Sequence, residues 1–194
     1  MVRRNNNYVI QLLSSFIFLN LMIGCNSSPR EAEAIPIAYL QTITNRLTPN
    51  FNQKIVFFVD LQKPSNEYRF FVLNMNDKKI INRGLCCNGK EDSEGQVMFS
   101  NVPGSNCSSK GAYKVGYPYV GKFGKAFKLH GLDSTNSNAF VRNVVLHSYK
   151  GIPRSEIFIR LFRSEGCPTV NSAFLEELDA YITKSKKPIL MYIQ

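Results

Sequence analysis

The sequence predicts a mainly β fold with a few short helices, and three observations carry that expectation. Three β-rich runs, "KIVFFVD", "EYRFFVLN" and "KKIINRGLC", follow one another from Lys54 with only "LQKPSN" and "MND" between them. Alternating or continuous apolar and β-branched runs closed by Pro, Asn and Asp are the pattern of an antiparallel meander. Further strand-like runs follow at 111–117, 125–130 ("AFKLH") and 143–149 ("NVVLHSY"), with "PILMYI" at the C-terminal end. Helical spacing, in contrast, is confined to two segments. Ile37, Leu40, Ile43 and Leu47 recur at helical intervals in "IAYLQTITNRL", and Phe174, Leu175, Leu178 and Ile182 do so later, with Lys184, Lys186 and Lys187 favouring that second helix's C-terminal end. Between the meander and the later strands, "NGKEDSEGQVMFSNVPGSNCSSKGAYKVG" is rich in Gly, Ser and Asn and reads as loops around short strands.

A chain of 194 residues is long enough for one domain with a real core and a short leader. Abundant aromatic and β-branched residues exclude a disordered chain, and no repeat of 20–50 residues points to a solenoid. The start, "MVRRNNNYVIQLLSSFIFLNLMIGCNSS", has Arg3 and Arg4 and then an apolar run ending at Gly24-Cys25. A positive start, a hydrophobic stretch and a small residue at the cut site are the parts of an export signal over residues 1–24. The competing reading is an uncleaved membrane anchor, against which the polar interruptions Gln11, Ser14, Ser15 and Asn20 count. Residues 25–36, small, polar and proline-bounded, read as a tether, residues 37–53 as a helical segment, and residues 54–194 as the main domain.

The net charge is +10, and removing Arg3 and Arg4 with the leader leaves +8. An exported basic protein can be drawn to anionic polymers or lipid head groups, the alternative being a merely solvated surface. A nucleic-acid partner is not expected, because the basic residues form no dense tract. The cysteines are Cys25, Cys86, Cys87, Cys107 and Cys167. In an oxidising compartment thiols tend to pair, and one of Cys86 and Cys87 can reach Cys107, leaving Cys167 free. No C-x-x-C or H-E-x-x-H spacing is present, so no metal is expected.

The segment "RSEGCPTVN" carries the chemistry. Cys167 stands between Gly166 and Pro168, with Ser164 three residues upstream. A tight turn of this kind exposes sulfur beside free backbone N–H groups, which a nucleophile needs and a core cysteine does not. The only histidines, His130 and His147, each end an apolar β run, "FKLH" and "VVLH". An imidazole near the thiol lowers its pKa from about 8.5 toward neutral and prepares it to attack a carbonyl. Ser164 and Gly166 form the turn, and the N–H groups of Gly166 and Cys167 are the candidate donors to a tetrahedral oxyanion.

His147, sixteen intervening residues and then "SEGC" make an H…S-x-G-C pattern that resembles the signature of the L,D-transpeptidases, the YkuD-type cysteine enzymes. The blocks "FSNVPGSNCSSKGAYKVG", "GKFGKAFKLHGLD", "NSNAFVRNVVLH" and "RSEGCPT" resemble, in that order, the murein L,D-transpeptidase catalytic-domain subfamily. The Gly24-Cys25 junction likewise resembles the lipobox of bacterial lipoproteins, which makes Cys25 the lipidation site. The resemblance implies a YkuD-like β-sandwich, Cys167 as nucleophile and His147 as base, and no cofactor. His130, Gly131, Asn138, Arg142 and Arg163 fall on family-like positions on the substrate side. The implied protein is an exported, membrane-anchored, periplasm-facing lipoprotein that acts on peptidoglycan stem peptides and forms cross-links with release of D-alanine. The alternatives are an L,D-carboxypeptidase at the same site and a catalytically silent peptidoglycan-binding lipoprotein. The family signature often has an arginine two places after the cysteine where Thr169 stands. Ser148 replaces a usual glycine, Asn171 a common proline, and Glu165 brings a carboxylate next to the nucleophile.

Overall fold

A computed structural model describes residues 33–194; the leader, Cys25 and most of the tether lie outside the described residues. The order of elements is α1 (Ile37–Thr44), β1 (Ile55–Val59), β2 (Phe70–Asn74), β3 (Lys79–Gly84), β4 (Cys86–Cys87), β5 (Gly111–Gly121), β6 (Gly124–Gly131), β7 (Val145–Ser148), β8 (Thr169–Val170), α2 (Ser172–Lys184) and β9 (Leu190–Ile193). The strands form one mixed sheet in the order β3-β2-β1-β9-β5-β6-β7-β8-β4. β1, β2 and β3 are the antiparallel meander that the sequence predicts. β9 then inserts parallel to β1 and antiparallel to β5, so the last strand of the chain completes the middle of the sheet.

The two outermost strands, β3 and β4, are joined by Leu85 alone. One intervening residue spans no more than about 7 Å between flanking Cα atoms, so the sheet has to curl until its edges meet. Buried Arg69 ties that closure: its Nε donates to Cys86 O at 2.7 Å, one terminal nitrogen to Lys63 O at 3.1 Å, and the other to Asn88 Oδ1.

Strand alternation divides the apolar residues between two faces. Phe57 and Val59 of β1 and Phe70 and Val72 of β2 join Tyr113, Phe127, Leu146 and Val170 in one core, which α2 enters with Phe174, Leu175 and Leu178. Val56, Phe58, Phe71 and Leu73 point the other way and meet Ile43 of α1, where Tyr39 stacks on Phe58 at 4.0 Å. Burial on both faces explains why β1 and β2 read as unbroken apolar runs. Of the apolar stripe predicted for α1, Ile43 is buried and Leu40 and Leu47 are partly packed, whereas Ile37 faces solvent. The end of the expected tether also packs: Ile35 is buried, and its N–H donates to Lys78 O at 2.9 Å beside the start of β3.

α2 begins where Asn171, as N-cap, accepts the N–H groups of Ala173 and Phe174 at 2.9 and 3.4 Å. Residues 88–110 are irregular, with the short bridges Glu91–Val97 and Phe99–Ser108. Cys86, Cys87, Cys107 and Cys167 are free thiols, so the bridge to Cys107 that the sequence allows is not formed. Burial pushes the Cys86 and Cys87 thiols up to about 11 and about 12.

The second face is covered by α1 only over the β1–β2–β9 side. Over β5, β6 and β7 the same face carries Lys114 opposite His130, Lys128 opposite Val145, and Ala126 opposite His147.

Candidate active site

The cysteine turn is assembled from three sides. Ser164 N–H donates to Asn88 O at 2.6 Å, and Ser164 Oγ donates to Cys167 O at 2.7 Å while accepting Gly166 N–H at 3.2 Å. Gly166 has φ +106°, where L side chains are rare, and a Cβ there would lie 2.5 Å from Cys107 O. Cys107 O is held in turn by Arg142 Nη2 at 2.6 Å, and Arg142 Nη1 reaches Ser100 O at 2.7 Å. Arg142 thus clamps the 100–107 loop beneath the turn.

Cys167 is partly exposed, and its sulfur lies against the start of β7. Val145 N–H donates to Sγ at 3.5 Å, and the thiol faces Asn143 O at 3.8 Å. Asn143 adopts φ +55°, which bends the chain into β7, and its Oδ1 accepts Lys128 Nζ at 3.3 Å. Burial pushes the Cys167 thiol up; the Val145 N–H, Arg142 and Lys128 oppose this, and Glu165 adds to it.

His147 lies two residues beyond Val145 on β7, buried, with its ring stacked on Phe123 at a centroid distance of 4.4 Å. Nδ1 is 3.1 Å from Ser148 O, and Nε2 is 3.0 Å from Thr169 Oγ1. A carbonyl can only accept, so Nδ1 carries the proton and Nε2 receives the Thr169 hydroxyl. Burial holds His147 below the ordinary imidazole range, with the Ser148 carbonyl opposing. β7 and β8 run parallel with His147 directly opposite Thr169, two residues after Cys167. The sheet therefore sets His147 two residues along β7 from the Val145 N–H that holds the sulfur, and no hydrogen bond joins thiol and imidazole among the described residues.

The L,D-transpeptidase catalytic-domain family model matches residues 31–192. The chain belongs to this family. Its mostly β structure with a mixed sheet is the YkuD-type fold. No curated protein matches the chain. Solved structures similar to it include the helical cell shape determining protein Pgp2 from Campylobacter jejuni, at 14% identity and TM-score 0.46, covering 73% of this chain and 47% of that one. An L,D-transpeptidase from Mycobacterium smegmatis is similar at 10% identity and TM-score 0.41, covering 73% of this chain and 58% of that one. The LD transpeptidase LdtMt1 in complex with imipenem has the same identity and TM-score, with 73% and 59% covered. The chain thus spans about half the length of the structures it matches.

In this member of the family, the other sequence-derived positions spread over the open sheet face and the loop beside it. His130 stacks on Phe140 at 5.1 Å and lines a cleft of about 530 Å³ with Lys114, Tyr117, Lys186 and Lys187. Burial first, then Lys114 and Lys128, hold His130 below its ordinary range. Gly131 sits against the Asn136 carbonyl, where no Cβ fits. Asn138 bonds the backbone of Asn101 through its side chain, at 3.1 Å, and is a loop clamp like Arg142. Arg163 is exposed on the approach to the turn. Of the two N–H groups expected to meet an oxyanion, that of Gly166 is engaged by Ser164 Oγ, while that of Cys167 makes no hydrogen bond among the described residues. The sequence reading missed Val145, Asn143 and Phe123 as site residues. Only Phe123 left a signal, an aromatic at the tip of the "GKFGK" hairpin.

Proposed function

We propose that this protein is an exported lipoprotein that cross-links peptidoglycan by cysteine-dependent acyl transfer. The observation that carries the reading is the placement of the Cys167 sulfur on the Val145 N–H, at the mouth of the Gly166 turn, with His147 two residues along the same strand. In the first step Cys167 Sγ attacks the carbonyl before the terminal D-alanine of a tetrapeptide stem, and its proton passes through His147 Nε2 to the departing amine. The C–N bond breaks, a thioester forms, and D-alanine leaves. The Cys167 N–H is the donor available to the oxyanion. In the second step an amine from a neighbouring stem attacks the thioester, gives its proton to His147, and returns the cysteine as a thiol. Water in place of the amine makes the same site an L,D-carboxypeptidase.

The thiol is held up and the imidazole down, so the free pair rests uncharged at neutral pH. Arg142 and Lys128 favour the thiolate once it forms. Acylation of Cys25 after removal of residues 1–24 would anchor the domain to a periplasm-facing membrane; a Cys25→Ala chain that still carries lipid by mass spectrometry refutes that part.

Intact mass of the protein after incubation with imipenem tests the chemistry, together with D-alanine release from tetrapeptide muropeptides. A single adduct mapped to Cys167, and release abolished in Cys167→Ala, are the expected results. A Cys167→Ala protein that still releases D-alanine refutes the assignment, and a wild-type protein that neither acylates nor releases D-alanine leaves a peptidoglycan-binding role instead.

A further inference from the structure

We propose that Thr169 is a positioning residue that keeps the base in reserve: its hydroxyl occupies the Nε2 lone pair of His147 at rest and vacates it by turning to the carbonyl of Cys167. The inference rests on the assignment of Cys167 and His147 as nucleophile and base, and deepens it. Sheet register creates the contact, because parallel pairing sets His147 opposite Thr169. Ser148 O fixes the proton on Nδ1, so the only role left to Thr169 at 3.0 Å from Nε2 is that of donor.

The hydroxyl has a second acceptor within reach, Cys167 O at 3.2 Å. That carbonyl already takes the Ser164 hydroxyl at 2.7 Å and has a second lone pair free. The thiol is held separately, facing Asn143 O at 3.8 Å. One rotation therefore frees the base. The Thr169 O–H swings from Nε2 to Cys167 O, and the Nε2 lone pair is then open to take the thiol proton. The S–H bond then breaks, an Nε2–H bond forms, and the sulfur keeps the Val145 N–H as its donor. No group outside the turn, β7 and β8 is consumed.

The other titratable groups around the imidazole do not take this place. Cys87 of β4 lies across β8 opposite Thr169, with its thiol pushed up to about 12 by burial. On β6, Lys128 bonds Asn143 Oδ1, and Lys125 pairs with Asp179 of α2. Glu177 of α2 pairs with Arg154. Lys122 lies over Phe123, whose ring stacks on His147. Arg142 is spent on loop carbonyls, and Glu165 is exposed on the turn. Among the described residues, Thr169 is the only side chain bonded to a ring nitrogen of His147.

Removing the hydroxyl frees the lone pair, so the imidazole becomes a better proton acceptor and the thiolate forms at lower pH. One ordinary hydrogen bond corresponds to roughly threefold to tenfold in the equilibrium. The test is the rate of Cys167 alkylation by iodoacetamide across pH 5–9, read by peptide mapping, in the whole protein. Thr169→Val should react roughly threefold to tenfold faster near neutral pH, with the midpoint of the profile moved to the acid side. Thr169→Ser should match wild type. In the His147→Ala background the valine should give no acceleration. A Thr169→Val protein that melts normally and reacts no faster than wild type at any pH overturns the proposal, as does an acceleration that survives without His147. Should the valine variant not fold, Thr169→Ala is read by the same criteria. Because alkylation needs no turnover, a failure of the transpeptidase reading appears separately, as D-alanine release by Cys167→Ala.

Discussion

Gly166→Ala isolates the geometry of the turn from its chemistry, since no functional atom is removed. The backbone at φ +106° lies well outside the regions open to alanine, at a cost of about 1–3 kcal/mol. The added Cβ would also stand 2.5 Å from Cys107 O, well inside ordinary contact, so the turn or the 107 backbone has to move by roughly an ångström. Residue 107 cannot yield freely, because Arg142 holds that same carbonyl at 2.6 Å. The turn therefore moves, and it carries the sulfur with it. A stability loss of 1–3 kcal/mol in a domain of this size lowers the melting temperature by roughly 2–12 °C. Displacing the reacting atom by about 1 Å costs on the order of a hundredfold in rate. Thermal melting and the rate of adduct formation with imipenem measure the two effects side by side. A Gly166→Ala protein that melts within a degree of wild type and acylates at the wild-type rate would refute the claim that this glycine's conformation places the Cys167 sulfur.

Arg69→Leu leaves Cys86 O, Lys63 O and Asn88 Oδ1 without their buried donor, and should cost about 1–3 kcal/mol for each acceptor left unpaired, about 2–4 °C of melting temperature per kcal/mol by calorimetry; Arg69→Lys should recover only part of it, since an ammonium cannot reproduce the fork. His130 and His147 are both held below the ordinary imidazole range, so their contribution is present above the unfolded value of about 6.5 and is lost as pH falls through the folded values. Melting temperature should be flat around neutral pH, decline below about pH 6 with a shallower decline in His147→Gln, and decline again above about pH 8.5 as the thiols of the unfolded chain ionise while buried Cys86 and Cys87 stay protonated. Phe123→Ala exposes the imidazole to water and should move the His147 titration, followed by NMR, up toward its ordinary range. An unmoved titration would mean that burial under Phe123 is not what holds it down.

Local pattern made most of the strands and both helices legible in the sequence. "KIVFFVD", "EYRFFVLN" and "KKIINRGLC" contain β1, β2 and β3 with the first residue of β4, and the Phe174–Leu175–Leu178 spacing marks the buried side of α2. What escaped depends on partners far away in the chain. β8 is two residues long, Thr169–Val170, and exists only because β7 lies on one side and β4 on the other. No periodicity can be read from two residues. The site divides along the same line. Cys167, Gly166 and Ser164 are neighbours in sequence, so their turn could be read directly. The Val145 N–H on the sulfur and the Thr169 hydroxyl on Nε2 arise from register between β7 and the β8 segment, which side-chain pattern does not encode. Thr169 was visible only as a departure from an expected arginine.

The position of the site follows from how the sheet spends its two faces. The first face is consumed by the main core and α2, and the second is closed by α1 only over β1, β2 and β9. An open sheet face normally carries solvated side chains, yet here His147 and Val145 on β7 are buried. Local cover explains this: the Phe123 ring of the β5–β6 hairpin lies on the imidazole, and the Cys167 turn, held by Ser164 and Arg142, lies on the start of β7. Cys167 and His147 are thus roofed by a loop and a hairpin rather than by the core. Burial of that kind raises the thiol and lowers the imidazole while Cys167 stays partly exposed. A site sunk into the main core would have the same pKa directions and no access, and one on a fully open face would have access without the desolvation. The curled sheet, with one face half covered, provides both together.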